Sequence, residues 1–179
     1  WGPILRMAST GLNSPLTSSA GRLFDAAAAL VGLADSVNYE GQAAIELEQM
    51  ADPYAARAYP CSFEGGQIQG VELMAAVAED LTAGRPVPQI AAAFHNGLAA
   101  VLVAVARQAA EAGGLSTVAL SGGTFQNRLL ADRVEAGLRR AGLEVLTHHR
   151  VPSNDGGISL GQAVIANARL FYQSGHSVS

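Results

Sequence analysis

The sequence predicts an α/β domain that is predominantly helical and carries a small, partly parallel sheet. Three observations predict this fold class. Of the 179 residues, 49% are hydrophobic but only 6% are aromatic, so small aliphatic side chains must fill the core and helices must pack closely. Most apolar residues recur at helical spacing, in stretches that end at glycine or proline. The last third instead alternates strand-like runs with glycine turns and helices.

Four helices and one hairpin are predicted before residue 115. Residues 1–15 show no clear period and are expected to form a loop. A hairpin is expected within 57–70, where two short β-rich runs flank a glycine pair. Gly32 is expected to cap the first helix at its carboxyl end, and Asn38 the second at its amino end. The helices are predicted over residues 21–31, 39–51, 71–83 and 88–112.

The last third predicts a crossover unit. Residues 117–120 form a β-rich run that leads directly into a glycine turn, and Asn127 is placed to cap the helix that follows. Residues 144–147 are predicted as a second strand. Two strands joined through a helix pair in parallel with a right-handed crossover. A final helix over 158–171 is apolar on nearly all sides and is expected to be buried.

Composition excludes several kinds of function. The net charge is −4 with eleven arginines and no lysine, which argues against nucleic-acid binding and rules out chemistry that needs a lysine. The single cysteine cannot form an internal disulfide or a thiolate zinc site. The longest unbroken apolar run, 98–106, is shorter than the roughly 18 residues of a membrane span, and no signal peptide is visible. A cytoplasmic protein without a membrane span is therefore expected.

Two glycine-rich turns are the strongest candidates for chemistry. Ser121, Gly122 and Gly123 follow a predicted strand, and glycines there let backbone amides approach a phosphate; a purely structural turn is an equally good interpretation of the spacing alone. Asp155 lies in a similar turn after the second strand. Its carboxylate can face a cation or accept amides of the next helix. Two such turns on neighbouring parallel strands are expected to face one cleft, which favours a functional role for both.

The other polar candidates have ordinary structural explanations. Asp25, in the first predicted helix, suits the helix dipole, and Glu40 suits the start of the second helix or a ribose diol. His95, in the middle of an apolar helix, is expected to be a hydrogen-bonded core residue. His148 and His149 are adjacent at the end of a strand and are not expected to bind one ion together. Cys61 is expected to pack as a small hydrophobe.

Four segments in this order carry a family resemblance, supported by Phe94 and His95 in the long helix. They are TSSAGRLFDA (17–26), YEGQA (39–43), LSGGTFQN (120–127) and NDGGISLGQA (154–163). Together they resemble the C-terminal part of the carbamoyltransferase of nickel–iron hydrogenase maturation, the HypF type. The resemblance implies that residues 1–179 form one lobe of an actin, sugar-kinase and heat-shock ATPase-like domain, as the C-terminal lobe of a carbamoyl-transfer domain in a longer protein.

The resemblance also implies a reaction. The complete enzyme would use carbamoyl phosphate and ATP to make carbamoyl-adenylate, and would carbamoylate the C-terminal cysteine of a partner maturation protein of the HypE type. The complete domain would hold a divalent metal, zinc or iron, with Asp155 as one ligand. No catalytic residue is assigned. The implied nucleotide-binding residues are Gly21, Asp25, Glu40, Ser121, Gly122, Gly123 and Asn127.

The sequence also departs from the family. The histidine-rich motif that supplies the other metal ligands is absent, as are the first lobe and the adenylate-forming domain. The chain is therefore expected to hold about half of an active-site cleft and to be inactive alone. Two alternatives remain open: an O-carbamoyltransferase of small-molecule biosynthesis, and a non-catalytic nucleotide-binding lobe.

Overall fold

The computed structural model describes residues 2–33 and 36–173. Within them lie seven helices and two two-stranded sheets, with short 3-10 turns at Gly123–Gln126 and Asp155–Gly157. In chain order the elements are α1 (Gly2–Thr10), α2 (Ala20–Leu30), α3 (Gln42–Met50), β1 (Phe63–Glu64), β2 (Gln67–Ile68), α4 (Gly70–Thr82), α5 (Val87–Gly113), β3 (Thr117–Ala119), α6 (Arg128–Arg140), β4 (Glu144–Leu146) and α7 (Ile158–Gln173).

Helix α5 is the centre of the core. Its amino-terminal half is almost completely buried, and α3, α4 and α6 pack against it. Pro88 lies in its first turn, and Gly114 ends it in the left-handed conformation. By length and hydropathy α5 could cross a bilayer, but more than half of its apolar window is buried inside the domain, as in the core helix of a globular fold.

A close backbone approach fixes the segment before the hairpin to α5. The Tyr59 N–H donates to the Ala93 carbonyl at 3.0 Å, and the Asn96 side-chain amide donates to two carbonyls of the same segment. Gly97 makes this possible, because a Cβ there would lie 2.5 Å from the Tyr59 oxygen. The helix therefore needs a glycine at this contact.

A buried carboxylate links this segment to α4. Asp80 accepts from the Tyr59 hydroxyl at 2.7 Å, from Arg85 at 3.0 Å and from Arg57. Burial opposes ionisation of Asp80, but the three donors outweigh it and hold the pKa of the carboxyl below its usual value. Burial and the bond to Asp80 raise the pKa of the Tyr59 hydroxyl. The cluster therefore links the segment before the hairpin to α4, and the buried carboxylate has three hydrogen-bond donors.

The α/β unit follows the prediction. Strands β3 and β4 pair in parallel, with Val118 opposite Val145, and α6 forms the crossover between them. Helix α6 packs on α5 through Leu130, Val134 and other apolar residues of one face. The hairpin β1–β2 is antiparallel, also as predicted, although each strand has only two residues.

Two elements differ from the predicted bounds. Residues 2–10 form helix α1 rather than a loop. Helix α3 begins at residue 42 and not at 39, because Gly41 adopts φ +83° immediately before it. Asn38 is not its cap; the Asn38 backbone N–H instead donates to the Gln42 side chain at 2.8 Å. Glu40 therefore lies outside the helix and is exposed.

Helix α7 is present where predicted, but it is not buried. Every residue from 158 to 171 is exposed, and the main contact of the helix is with the turn that precedes it. The apolar pattern predicts burial, and the described part of the chain offers no surface that covers it. The exposed large apolar side chains are Ile158, Leu160, Val164, Ile165, Leu170 and Phe171.

Candidate nucleotide-binding site

The two glycine-rich turns meet at the carboxyl ends of β3 and β4. The Gly122 N–H donates to the Ser153 carbonyl at 2.8 Å, and a Cβ on Gly123 would lie 3.9 Å from the Asn154 Cβ. The Leu120 N–H, just past β3, donates to the carbonyl of the last residue of β4 at 2.9 Å. The prediction that both turns share one edge of the sheet is confirmed.

The two glycines of the first turn, Gly122 and Gly123, have different structural roles. Gly122 has φ +103° and ψ 158°, a conformation that side chains rarely adopt, so the backbone itself requires glycine there. Gly123 has an ordinary φ, and a Cβ there would make only an ordinary contact with the Asn154 Cβ, so the fold does not require glycine at this position. Both residues are exposed at the sheet edge. Gly123 is therefore the position at which the lack of a side chain leaves room for a ligand.

A histidine that the sequence did not assign to the site joins this turn. His148 Nε2 lies 2.9 Å from Ser121 Oγ, and both residues are exposed. Because β4 ends at residue 146, both adjacent histidines lie beyond the strand. His149 Nε2 is instead 3.1 Å from Thr147 Oγ1, so the two imidazoles have different partners. Sequence spacing could not show that the loop returns His148 to Ser121.

Asn127 is buried beneath the turn. Its Oδ1 accepts the Leu130 N–H at 2.9 Å and so caps α6, as predicted. Its Nδ2 donates to His95 Nε2 at 3.0 Å. Both polar atoms of the side chain thus have internal partners, and the residue shapes the turn from below. The assignment of Asn127 as a nucleotide contact stays a prediction.

His95 is a hydrogen-bonded core residue, as predicted. Its Nδ1 donates to the Ala91 carbonyl at 2.7 Å, and its Nε2 accepts from Asn127. The ring also makes edge contacts with Phe24 of α2 at 5.3 Å and with Phe94. Burial of the ring lowers the pKa of His95 to about 4, so the imidazole is neutral. Residues from two of the four segments that carry the family resemblance, Phe24 and Asn127, therefore contact this ring.

The amino-terminal end of α6 is already satisfied from within. Glu48 of α3 accepts the Leu129 N–H at 2.9 Å, and Asn127 accepts the next amide. Because these first-turn donors are taken, the helix terminus is not the place where an anion would bind. The exposed turn at residues 121–123 is the part of this edge that remains for a ligand.

The residues expected on the nucleoside side of the cleft make no described contact with the glycine turn itself. Gly21 is in the first turn of α2, and Asp25 pairs with Arg22 at 3.0 Å. The described contacts connect α2 to the turn through Phe24 and His95, not through Asp25. Whether Gly21, Asp25 and Glu40 line a nucleoside pocket stays a prediction.

Asp155 is exposed and does not cap the helix that follows. Asn154 instead caps the short 3-10 turn that Asp155 begins, accepting the Gly156 N–H at 3.1 Å. Across residues 2–33 and 36–173, no three His, Cys, Asp or Glu side chains lie close enough together to hold a metal ion. One exposed carboxylate does not fit a divalent metal, which needs several ligands. A metal bound at Asp155 would need ligands from outside the described residues.

The fold and the paired turns are those of a Kae1-like domain. The family model described as "Carbamoyltransferase, Kae1-like Domain, second subdomain" matches residues 1–162, and the chain belongs to this family. Its relatives include the "Carbamoyltransferase HypF" of Rhodobacter capsulatus, 44% identical over 92% of this chain and 22% of the relative. The "Carbamoyltransferase HypF homolog" of Cupriavidus necator is 40% identical over 91% of this chain and 44% of the relative.

Solved structures support the same assignment. The structure titled "Crystal structure of full-length HypF in the phosphate- and nucleotide-bound form" matches 94% of this chain and 23% of that one, with 40% identity and a TM-score of 0.84. A HypF structure from T. kodakarensis matches with a TM-score of 0.82 at 29% identity, covering 94% of this chain and 22% of that one. These matches confirm the predicted fold and the resemblance to the C-terminal part of HypF carbamoyltransferases. The chain spans between 22% and 44% of the length of these relatives.

Proposed function

We propose that this chain forms the phosphate-binding side of the nucleotide cleft in a HypF-type carbamoyltransferase. The observation that carries the proposal is the junction of the two glycine turns, where Gly122 is hydrogen-bonded to Ser153 and a Cβ on Gly123 would contact only the Asn154 Cβ, at 3.9 Å. Ligands in α/β sheets bind at the carboxyl edge of the strands, and small residues there admit a phosphate to the backbone. One solved relative is titled as a phosphate- and nucleotide-bound form, which supports the same chemistry.

The reaction proposed for the complete protein proceeds through an adenylate. Carbamate released from carbamoyl phosphate would attack the α-phosphorus of ATP, forming carbamoyl-adenylate and releasing pyrophosphate. The thiolate of a partner's C-terminal cysteine, in a HypE-type maturation protein, would then attack the carbamoyl carbon and AMP would leave. Backbone amides that bind the adenylate phosphate would stabilise the AMP leaving group, and they would not have to move during the reaction.

Ser121 and His148 add side-chain donors to this edge. A hydroxyl supported by an imidazole at 2.9 Å can donate to a phosphate oxygen while the histidine donates to the hydroxyl from behind. A zinc or iron ion in the complete domain would polarise the reacting carbonyl, with ligands other than Asp155 coming from the rest of the protein. We place the reaction in the cytoplasm, where the acceptor thiol stays reduced.

Nucleotide titration of the chain tests the proposal. We expect weak ATP binding, because a half-cleft leaves the phosphates in water, and we expect Gly123→Val to weaken it at least tenfold by blocking the turn. Gly161→Val is the matched control, since Gly161 lies on exposed α7 with nothing within 4 Å of a Cβ. Unchanged affinity in the Gly123 variant, measured by calorimetry, contradicts the proposal.

A transfer assay separates the alternatives. With carbamoyl phosphate, ATP and a thiol-bearing partner, we expect no thiocarbamate from this chain alone, because one lobe of the cleft and the other metal ligands are missing. Addition of the preceding part of a HypF relative should restore transfer if the lobe is catalytic. Nucleotide binding without any transfer in the completed protein would favour the non-catalytic lobe, and transfer to small hydroxyl compounds would favour an O-carbamoyltransferase.

A further inference from the structure

We propose that His95 is a positioning residue of the candidate site: its neutral Nδ1–H tautomer fixes the side-chain amide of Asn127 and thereby the backbone of the Ser121–Gly123 turn. The role in ligand binding rests on the function proposed above for that turn. The inference concerns a group that no substrate reaches, because the imidazole is completely buried in the core.

The tautomer follows from the partners of the ring. The Ala91 carbonyl, 2.7 Å from Nδ1, can only accept a hydrogen bond, so Nδ1 must carry the proton. Nε2 then presents a lone pair, and the Asn127 atom 3.0 Å away must be the donor Nδ2. This orients Oδ1 toward the Leu130 N–H, which it caps at 2.9 Å. One tautomer therefore permits one amide orientation and one helix cap.

The same residue holds the turn through the backbone. The Asn127 N–H donates to the Thr124 carbonyl at 3.2 Å, and the Phe125 N–H donates to the Gly122 carbonyl at 3.1 Å. These two bonds close the 3-10 turn that begins at Gly123. A displacement of Asn127 would therefore alter these two hydrogen bonds and, through them, the backbone of Gly122 and Gly123.

Packing alone does not explain an imidazole at this position. Phe24 and Phe94 surround the ring with apolar edges, and a leucine or phenylalanine would bury there without the cost of removing two polar nitrogens from water. The imidazole contributes what those residues cannot, which is an acceptor at a defined point beneath the turn. Its donor nitrogen, bonded to the carbonyl one turn back on α5, prevents the ring from flipping.

Two variants separate the acceptor from the rest of the ring. In His95→Gln the side-chain oxygen can reach the position of Nε2 and accept from Asn127. In His95→Asn the shorter amide can still donate to Ala91 but leaves Asn127 without an acceptor. Both are polar and buried, so a general loss of packing affects both.

The experiment is nuclear magnetic resonance of the ¹⁵N-labelled chain. In the wild type we expect Nδ1 protonated and Nε2 unprotonated at neutral pH. In His95→Asn we expect the Leu130 and Gly122 amides to exchange roughly five- to tenfold faster, relative to the amide of Ala83 directly after α4, and His95→Gln should restore them. Addition of ATP should shift the Gly122 and Gly123 resonances in the wild type and in His95→Gln, and much less in His95→Asn.

The outcomes distinguish this inference from the proposed function. A wild-type imidazole protonated on Nε2 overturns the inference, and so does equal relative exchange in the two variants. If ATP shifts no resonance in the wild type, the proposed function fails, and the tautomer and exchange data still decide whether His95 positions the turn. If ATP binds equally well to both variants, the turn binds nucleotide without help from His95.

Discussion

Acid should destabilise this protein through His95. Burial lowers the pKa of this residue from 6.5 to about 4, and an unfolded chain returns it to the ordinary value. Since the unfolded state binds the proton more tightly, the contribution of His95 is complete above pH 6.5 and is lost as the pH falls toward 4. The total is about 3 kcal/mol, of which about 2 kcal/mol is lost between pH 7.5 and pH 5.

Urea denaturation at a series of pH values measures this loss. The wild type should lose about 2 kcal/mol more than His95→Gln between pH 7.5 and pH 5, because carboxylates and exposed histidines contribute equally to both proteins. Arg133, whose guanidinium donates to the Ala92 carbonyl at 3.2 Å, is a nearby positive charge that further opposes the imidazolium. Parallel stability curves for the two proteins would refute the reasoning, since they would mean that His95 titrates normally in the folded state.

Three further perturbations follow from the structure. Gly97→Ala should destabilise the fold by about 2 kcal/mol or more, since its Cβ would lie 2.5 Å from the Tyr59 carbonyl oxygen. The control Gly161→Ala should be neutral or stabilising. Equal melting temperatures for the two variants would contradict the close approach. Asp80→Asn should cost about 2–3 kcal/mol in urea denaturation, because one charged acceptor serves three donors, and a change below about 0.5 kcal/mol would show that the crosslink is dispensable. The purified chain should hold no stoichiometric metal, and an ion lost on Asp155→Ala by metal analysis would show that the chain holds a complete site.

Local signals in the sequence predicted the α/β unit well. The cap at Asn127 depends on a side chain and an amide three residues away, so the sequence is sufficient to place it. The parallel pairing of β3 and β4 follows from the short crossover between them. The predicted start of α3 is wrong because asparagine is a common helix cap, which favoured Asn38. The capping preference of Asn38 carries no information on the left-handed conformation that Gly41 adopts before the helix begins.

Long-range contacts were beyond such signals. The bond from His148 to Ser121 spans 27 residues and depends on the path of a loop. The bond from Glu48 to the α6 amide spans 81 residues, and it changes the interpretation of the helix terminus from open to satisfied. The apolar pattern of α7 indicates a buried surface but not which surface covers it, so its exposure could not be foreseen.

The turn at 152–157 connects α7 directly to the candidate site. Ser153 accepts the Gly122 amide, and the helix begins only five residues later, after a turn braced by the Asn154 cap. A displacement of α7 would therefore act on Ser153 and, through its hydrogen bond, on the backbone of Gly122. In the proposed nucleotide site, a partner that binds and displaces α7 would thus alter nucleotide binding without contacting the nucleotide.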